Sequence, residues 1–239
     1  MENAETESVK PDPGTNHRKE LIKLLKQAAY TRDVCRVFND FLEMSAIAIS
    51  NTVDFVHKAE REARYLEIIG AYEKREQELF PEIFARLALA LEGKAASTGP
   101  EDVLGLVFNE LELQNKNKGQ VFTPQHIADF MASISCRDDI KTTVEEKGYV
   151  SMCDPCCGAG VFIMSMAKAM TENGLNYSTQ IVCTATDIDL KCVHMTYLQS
   201  ALYGIPAVVI HGDSLLVQEW SRWYTPVYMM NGCGGRLAG

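Results

Sequence analysis

One segment combines an acid, a proline and two closely spaced glycines in a way that suits ligand binding: Asp154-Pro155-Cys156-Cys157-Gly158-Ala159-Gly160. The two glycines allow positive φ angles and a close approach of a ligand to the backbone. A helix is predicted to begin directly after Gly160, so backbone N–H groups and the positive end of a helix dipole face the same place. The segment therefore suits a ligand that has both an ammonium group, for Asp154, and a carboxylate, for the turn.

Two common nucleotide-binding patterns do not fit this segment. A dinucleotide fingerprint needs a third glycine where the chain has Ile163, and a phosphate-binding P-loop sequence is absent. S-adenosylmethionine (SAM) does carry both an ammonium and a carboxylate, so it is the candidate ligand. An ordinary strand-to-helix turn without a ligand is the alternative.

Acids follow three predicted strands, which run over residues 149–152, 181–186 and 207–210 and are closed by Asp154, Asp187 and Asp213. Helices are predicted between these strands, over about 161–173 and 189–203, and such alternation is typical of a parallel sheet. The three carboxylates should then lie along one edge of the sheet, where open α/β sheets bind ligands. Asp187 stands where a ribose-binding acid is expected, and Asp213 could reach an adenine amino group.

The predicted fold class is α/β, with a helical N-terminal region followed by a partial Rossmann-like methyltransferase sheet. Apolar spacing predicts helices over about 19–30, 32–52, 54–77, 80–92 and 100–113, and Thr123 and Pro124 are predicted to begin another. Residues 227–230 are predicted to form a short fourth strand. We divide the chain into a disordered tail (1–18), a helical domain (19–98) and an incomplete methyltransferase-like domain (99–239).

Composition limits the partners of the protein. The net charge is −9, with −3 in residues 1–100 and −6 in residues 101–239, so neither half is a basic nucleic-acid module. A role on DNA would require a companion subunit. The sequence has no membrane-spanning run or signal pattern, and its eight cysteines suit a reduced, cytoplasmic protein. The C-x-x-C at Cys153 and Cys156 has no second pair, so no metal site is predicted.

Four segments follow one another within residues 100–231: Gly119-Gln120-Val121-Phe122-Thr123-Pro124, the Asp154–Gly160 segment, Thr186-Asp187-Ile188-Asp189 and Gly212-Asp213-Ser214-Leu215. Their residues and order resemble motifs of the N-6 adenine DNA methylases, especially the modification subunits of type I restriction systems. The resemblance implies that SAM is the cofactor and DNA the substrate, reached through a companion specificity subunit. It also implies a set of SAM-binding residues: Thr123, Pro124, Asp154, Pro155, Gly158, Gly160, Asp187, Ile188 and Asp213.

The catalytic motif of that family matches only in part. The family has Asn/Asp-Pro-Pro-Tyr/Phe after its fourth strand, whereas this chain has Asn231-Gly232-Cys233-Gly234. The resemblance makes Asn231 the candidate catalytic residue, but without a stacking aromatic ring and a rigid turn we expect very weak or no methyl transfer. Members of that family continue with more strands and a DNA-recognition region, whereas this sequence stops soon after the motif. Strand 227–230 is then expected to be an open edge that a second copy of the chain covers, unless the sequence is a fragment of a longer methylase.

Three readings of the function follow. The chain is the SAM-binding part of a DNA adenine methyltransferase, or an inactive relative that binds SAM or a DNA complex, or a methyltransferase for another amine or amide. A cytosine methylase does not fit, because such an enzyme needs a Pro-Cys nucleophile on a later loop and Pro155-Cys156 lies in the ligand turn.

Overall fold

The computed structural model of the chain describes residues 13–111, 122–136 and 138–235. Its first part is helical, as predicted, and contains α1 (Pro13–Ala28), α2 (Val34–Ser50), α3 (Lys58–Gly70), α4 (Lys74–Gln77), α5 (Leu79–Ser97) and α6 (Val103–Glu110). Helix α1 begins within the tail that was predicted to be disordered, because Pro13 fits the first turn of a helix. The rest of that tail, residues 1–12, lies outside the described residues. None of the helices that the structure describes is both long enough and apolar enough to span a membrane.

The second part alternates strands and helices and confirms the α/β fold class. It contains α7 (Gln125–Ser135), α8 (Asp138–Lys147), β1 (Val150–Asp154), α9 (Val161–Glu172), α10 (Tyr177–Gln180), β2 (Ile181–Asp187), α11 (Leu190–Leu202), β3 (Ala207–Asp213), β4 (Gln218–Tyr224), α12 (Pro226–Met230) and a 3₁₀ turn, Cys233–Gly235. The sheet has the order β1-β2-β3-β4. Strands β1, β2 and β3 are parallel, and β4 pairs with β3 in the antiparallel direction.

The helical region and the sheet share one apolar core. Arg61 of α3 also joins them through polar contacts: its guanidinium donates to Asp54 at 2.7 Å, to Ser50, and to the Arg222 carbonyl of β4 at 2.8 Å. The same group stacks over the Trp223 ring, 4.1 Å from its centroid. The boundary between the domains at residues 98 and 99 stays a prediction.

The predicted fourth strand at residues 227–230 is wrong, since this stretch forms helix α12. Thr225 caps that helix by accepting a hydrogen bond from the Tyr228 N–H, and Pro226 occupies its first turn, where the missing N–H costs nothing. The actual fourth strand is β4, which the sequence analysis did not predict. The prediction that a second copy of the chain covers an edge strand at 227–230 therefore fails, because no strand lies there.

Helix α7 buries a different face from the one that the sequence predicts. The spacing of Ile127, Phe130 and Met131 predicts a buried face, but these side chains are exposed, and Ala128 and Ala132 are fully buried instead. The small side chains let α7 lie close against α9. Thr123 does not cap α7 either, because the N-cap position is Pro124.

Candidate cofactor-binding site

The glycine turn, residues 154–160, joins β1 to α9 in the conformation that the sequence predicts. Gly158 has φ +55° and Gly160 has φ +89°, both in the left-handed region. A Cβ on Gly158 would lie 3.2 Å from the Phe122 ring, and one on Gly160 would lie 3.0 Å from the Thr196 hydroxyl. Both glycines are therefore required by backbone angle and by close packing.

The N–H groups of the turn are largely engaged within the protein. Cys156 N–H donates to the Asp154 carboxylate at 3.2 Å, and Gly158 N–H donates to Asp187 Oδ2 at 2.8 Å. Cys157 N–H and Gly160 N–H donate to backbone carbonyls. The turn consequently offers a carboxylate ligand fewer free donors than the sequence analysis expects, and it acts more as a rigid wall fixed by Asp187.

The three acids lie at the carboxyl ends of adjacent parallel strands. Asp154 is the last residue of β1 and pairs with Ala185, two residues before Asp187 at the end of β2. Asp187 in turn pairs with His211, two residues before Asp213 at the end of β3. The edge of the sheet thus carries three carboxylates in a staggered row.

Electrostatics within this row favour a cation. Burial raises the pKa of Asp154, the Cys156 N–H lowers it, and the neighbouring Asp187 carboxylate raises it again. Asp187 accepts hydrogen bonds from the N–H groups of Gly158 and Asp189, and Asp213 accepts them from Leu215 and Leu216. These backbone donors orient the carboxylates but do not neutralise their charge.

The carboxyl-edge cleft lies above this edge and has a volume of about 530 Å³. Six of its lining residues belong to the predicted binding set: Thr123, Pro155, Gly158, Asp187, Ile188 and Asp213. Pro124, Asp154 and Gly160 do not line it, but each is a chain neighbour of a lining residue or lies in the same turn. The other lining residues are Phe122, Cys156, Cys192, Gly212, Ser214 and Leu215, so in the part of the chain that the structure describes the lining contains acids but no Lys or Arg.

Asn231, the candidate catalytic residue, lies at the other edge of the sheet. Its amide donates to the Ser178 carbonyl at 2.8 Å, and Ser178 lies in α10, immediately before β2. The seven residues of β2 separate this position from Asp187, a distance of roughly 20 Å. The structure therefore does not bring Asn231 together with the cleft.

Comparison with known families agrees with this geometry. The family model described as N-6 DNA Methylase matches residues 102–231, which is more than half of the chain. The chain belongs to the N-6 DNA methylase family. The match begins at Asp102, the N-cap of α6, and ends at Asn231, so it includes every residue of the predicted binding set. A comparison with curated proteins found no match.

A comparison with solved structures includes two that are similar to this N-6 DNA methylase chain. One is described as a class I S-adenosylmethionine-dependent methyltransferase from Listeria monocytogenes, with a TM-score of 0.46, 12% identity and coverage of 91% of this chain and 69% of the other. The second is a type I restriction-modification system methyltransferase subunit from Streptococcus thermophilus, with a TM-score of 0.42 and 16% identity. There the alignment covers 85% of this chain but only 40% of the longer protein.

Sequence reasoning missed several residues that shape the cleft of this methylase-family chain. Phe122 packs its ring against Gly158, and Ser214 donates from its hydroxyl to the Pro155 carbonyl, which joins the ends of β3 and β1. Thr196 and Gln199 of α11 hold carbonyls of the glycine turn. The available signal was the presence of Thr196 and Gln199 in a helix that is otherwise rich in apolar side chains.

Proposed function

We propose that this chain binds SAM in the carboxyl-edge cleft and forms the cofactor-binding part of an N-6 adenine DNA methyltransferase. The observation that carries the proposal is the row of Asp154, Asp187 and Asp213 beside a left-handed glycine turn, in a cleft whose lining, within the described residues, contains no Lys or Arg. Such a cleft repels phosphates and attracts a ligand that has a sulfonium and an ammonium. This charge pattern disfavours dinucleotides and nucleoside triphosphates.

The geometry supports a distinct role for each acid. Asp154 is the acid that begins the glycine turn, and it suits the ammonium. Each Asp187 oxygen accepts one backbone hydrogen bond and keeps a second lone pair, so Asp187 can still accept bonds from ribose hydroxyls. Asp213 suits the adenine amino group, and Ile188 and Leu215 supply exposed apolar surface beside it. Phe122 and Thr123 form the opposite wall, and Pro124 follows them directly in the chain.

Bound SAM would supply an activated methyl group on its sulfonium. Transfer to adenine also needs a group that draws hydrogens from the adenine amine, and the described residues that line the cleft include no Asn. Asn231 stands at the far edge, and the net charge of −9 opposes non-specific DNA binding. We therefore propose that a companion chain binds the DNA, as a specificity subunit of a restriction-modification system would.

Calorimetric titration of SAM against the chain tests the first step. We expect binding of SAM, and no binding of ATP or NADH at the same concentrations. Tight binding of ATP, or no binding of SAM either alone or after preparation with the companion chain, would contradict the proposal.

The second candidate function is SAM binding without catalysis, and the position of Asn231 favours it. The test is incorporation of labelled methyl from SAM into an adenine-containing duplex by the isolated chain. We expect none. Turnover by the isolated chain would show that the catalytic group lies in or near the cleft after all.

A further inference from the structure

One side chain that the proposed function does not use connects the two walls of the carboxyl-edge cleft. Gln199 of α11 is fully buried, and its amide makes four hydrogen bonds. Its oxygen accepts from the N–H groups of Val103 at 2.7 Å and Leu104 at 3.0 Å. Its nitrogen donates to Asp102 Oδ1 at 2.9 Å and to the Ala159 carbonyl at 2.8 Å. Every donor and acceptor of the amide is thus satisfied.

The Ala159 bond acts on the glycine turn. The Gly158 carbonyl is held in the same way, by the Thr196 hydroxyl at 2.8 Å. Because a trans peptide unit is planar, fixing a carbonyl also fixes the direction of the following N–H. Gln199 and Thr196 together therefore set the orientation of two successive peptide planes in the turn.

The Asp102 bond acts on the opposite wall. Asp102 caps α6 by accepting from the Gly105 N–H at 2.7 Å, and its own N–H donates to the Gln125 side chain at 3.2 Å. Gln125 begins α7, next to Pro124 and Thr123. The Phe122 ring, which contacts Gly158, also packs edge-on against Phe108 of α6, with 5.3 Å between centroids.

We propose that Gln199 is a positioning residue that joins the glycine turn to the Thr123 wall through Asp102 and thereby sets the shape of the cofactor cleft. This inference rests on the proposed function only in naming SAM as the ligand. Gln199 does not line the cleft, so its effect on a ligand passes through the Ala159 carbonyl and the N-terminus of α6.

The substitution Gln199→Met keeps a similar volume and removes all four hydrogen bonds. The matched control is Ser200→Ala on the same helix, since Ser200 is equally buried and its hydroxyl has no partner within the described part of the chain. Amide hydrogen exchange is measured without ligand over peptides that cover 153–162 and 122–128. We expect Gln199→Met to raise exchange about tenfold in both peptides, with β2 and β3 unchanged, and Ser200→Ala to match the wild type.

Ligand binding gives a second readout. We expect Gln199→Met to weaken SAM about tenfold but adenosine less than twofold, because adenosine lacks the methionine part that faces the turn. A merely structural role would weaken both ligands and raise exchange across the sheet. Exchange in the 153–162 peptide equal to that of Ser200→Ala, in a folded variant, would overturn the proposal.

If Gln199→Met does not fold, Gln125→Leu tests the same connection at the Thr123 wall. The substitution removes the bond from the Asp102 N–H and also the Gln125 bonds to Asp129 and Ser165. All four Gln199 bonds stay, so exchange should rise in 122–128 and not in 153–162. An unchanged 122–128 peptide would overturn the proposal. A wild-type chain that binds no SAM would refute the proposed function, whereas the exchange measurements would still test the connection between the walls.

Discussion

The two edges of the sheet use polar side chains in different ways. At the carboxyl edge, hydrogen bonds join segments from different strands around an open cleft, as in Asp187 with Gly158 and Ser214 with Pro155. At the amino edge, the polar side chains use their hydrogen bonds on backbone groups of neighbouring segments. Thr225 accepts from the Ala207 N–H and donates to the Ile205 carbonyl, both at 2.9 Å, and Asn231 donates to Ser178.

This difference explains why one edge suits a ligand and the other does not. The carboxylates of the first edge accept backbone bonds with lone pairs to spare, so they can bind a further donor. The Thr225 hydroxyl at the second edge has donated its hydrogen to the chain itself, and the Asn231 amide is engaged as well. A polar residue type therefore indicates a site only where the fold leaves some of its bonding capacity unused.

The largest expected effect concerns the rigidity of the carboxyl edge. Gly160→Ala should lower the free energy of unfolding by about 2–4 kcal/mol, from the left-handed backbone and from the clash with Thr196. The control is Gly148→Ala, where φ is +79° and an added Cβ would have no described atom beyond its chain neighbours within 4 Å, so only the backbone cost of about 1–2 kcal/mol applies. Urea denaturation measures both. Equal losses would show that packing against Thr196 contributes nothing.

Asp102 gives the next effect, on the pH dependence of stability. Burial raises its pKa from 3.8 to about 6, although bonds from Gln199 and the Gly105 N–H lower it. Between these values the folded chain keeps a proton that the unfolded chain has lost. The free energy of unfolding should therefore fall as pH rises from about 4 to 6, by on the order of 3 kcal/mol.

The variant Asp102→Asn isolates this contribution, since Asn also caps helices and does not titrate. Asp54 and Asp129 have lowered pKa values, so the stability they contribute is lost only as pH falls below that window. Asp154, whose pKa is raised, acts in the same direction as Asp102 and stays in the variant. We expect a clearly flatter profile in denaturation from pH 4 to 6. An unchanged slope would mean that Asp102 titrates normally.

The elements that local chemistry decides were predicted from the sequence. The left-handed turn follows from Gly158 and Gly160, and the three acids follow from the ends of parallel strands, which must meet at one edge. Residues 227–230 were mispredicted because apolar residues in a short run fit a strand or a helix, and the Thr225-Pro226 start decided for the helix. The partner of Gln199 could not be predicted, because it depends on a contact between residues 102 and 199 that is set by packing.

The third prediction distinguishes a direct contact between Asp187 and SAM from the effect of the overall negative charge. Asp187→Ala should weaken SAM by about 1–3 kcal/mol, because ribose hydroxyls lose their acceptor and Gly158 loses the bond that fixes the turn. Glu219→Gln is the matched control, since it removes one exposed negative charge outside the cleft lining. Calorimetry at physiological salt should show a change below twofold for the control. Similar losses in both variants would point to long-range charge instead of a contact.

The smallest effect tests the amino edge. Asn231→Ala should leave SAM affinity unchanged within about twofold, because Asn231 contacts Ser178 at the edge opposite the cleft. It should lower the free energy of unfolding by about 1 kcal/mol, the usual loss for one partly buried hydrogen bond. Titration and urea denaturation of the same preparation measure the two quantities. A tenfold loss of SAM affinity would mean that the Asn231 segment reaches the cleft in the binding-competent state, and methyl transfer that vanishes in this variant would make Asn231 catalytic despite its place in the fold.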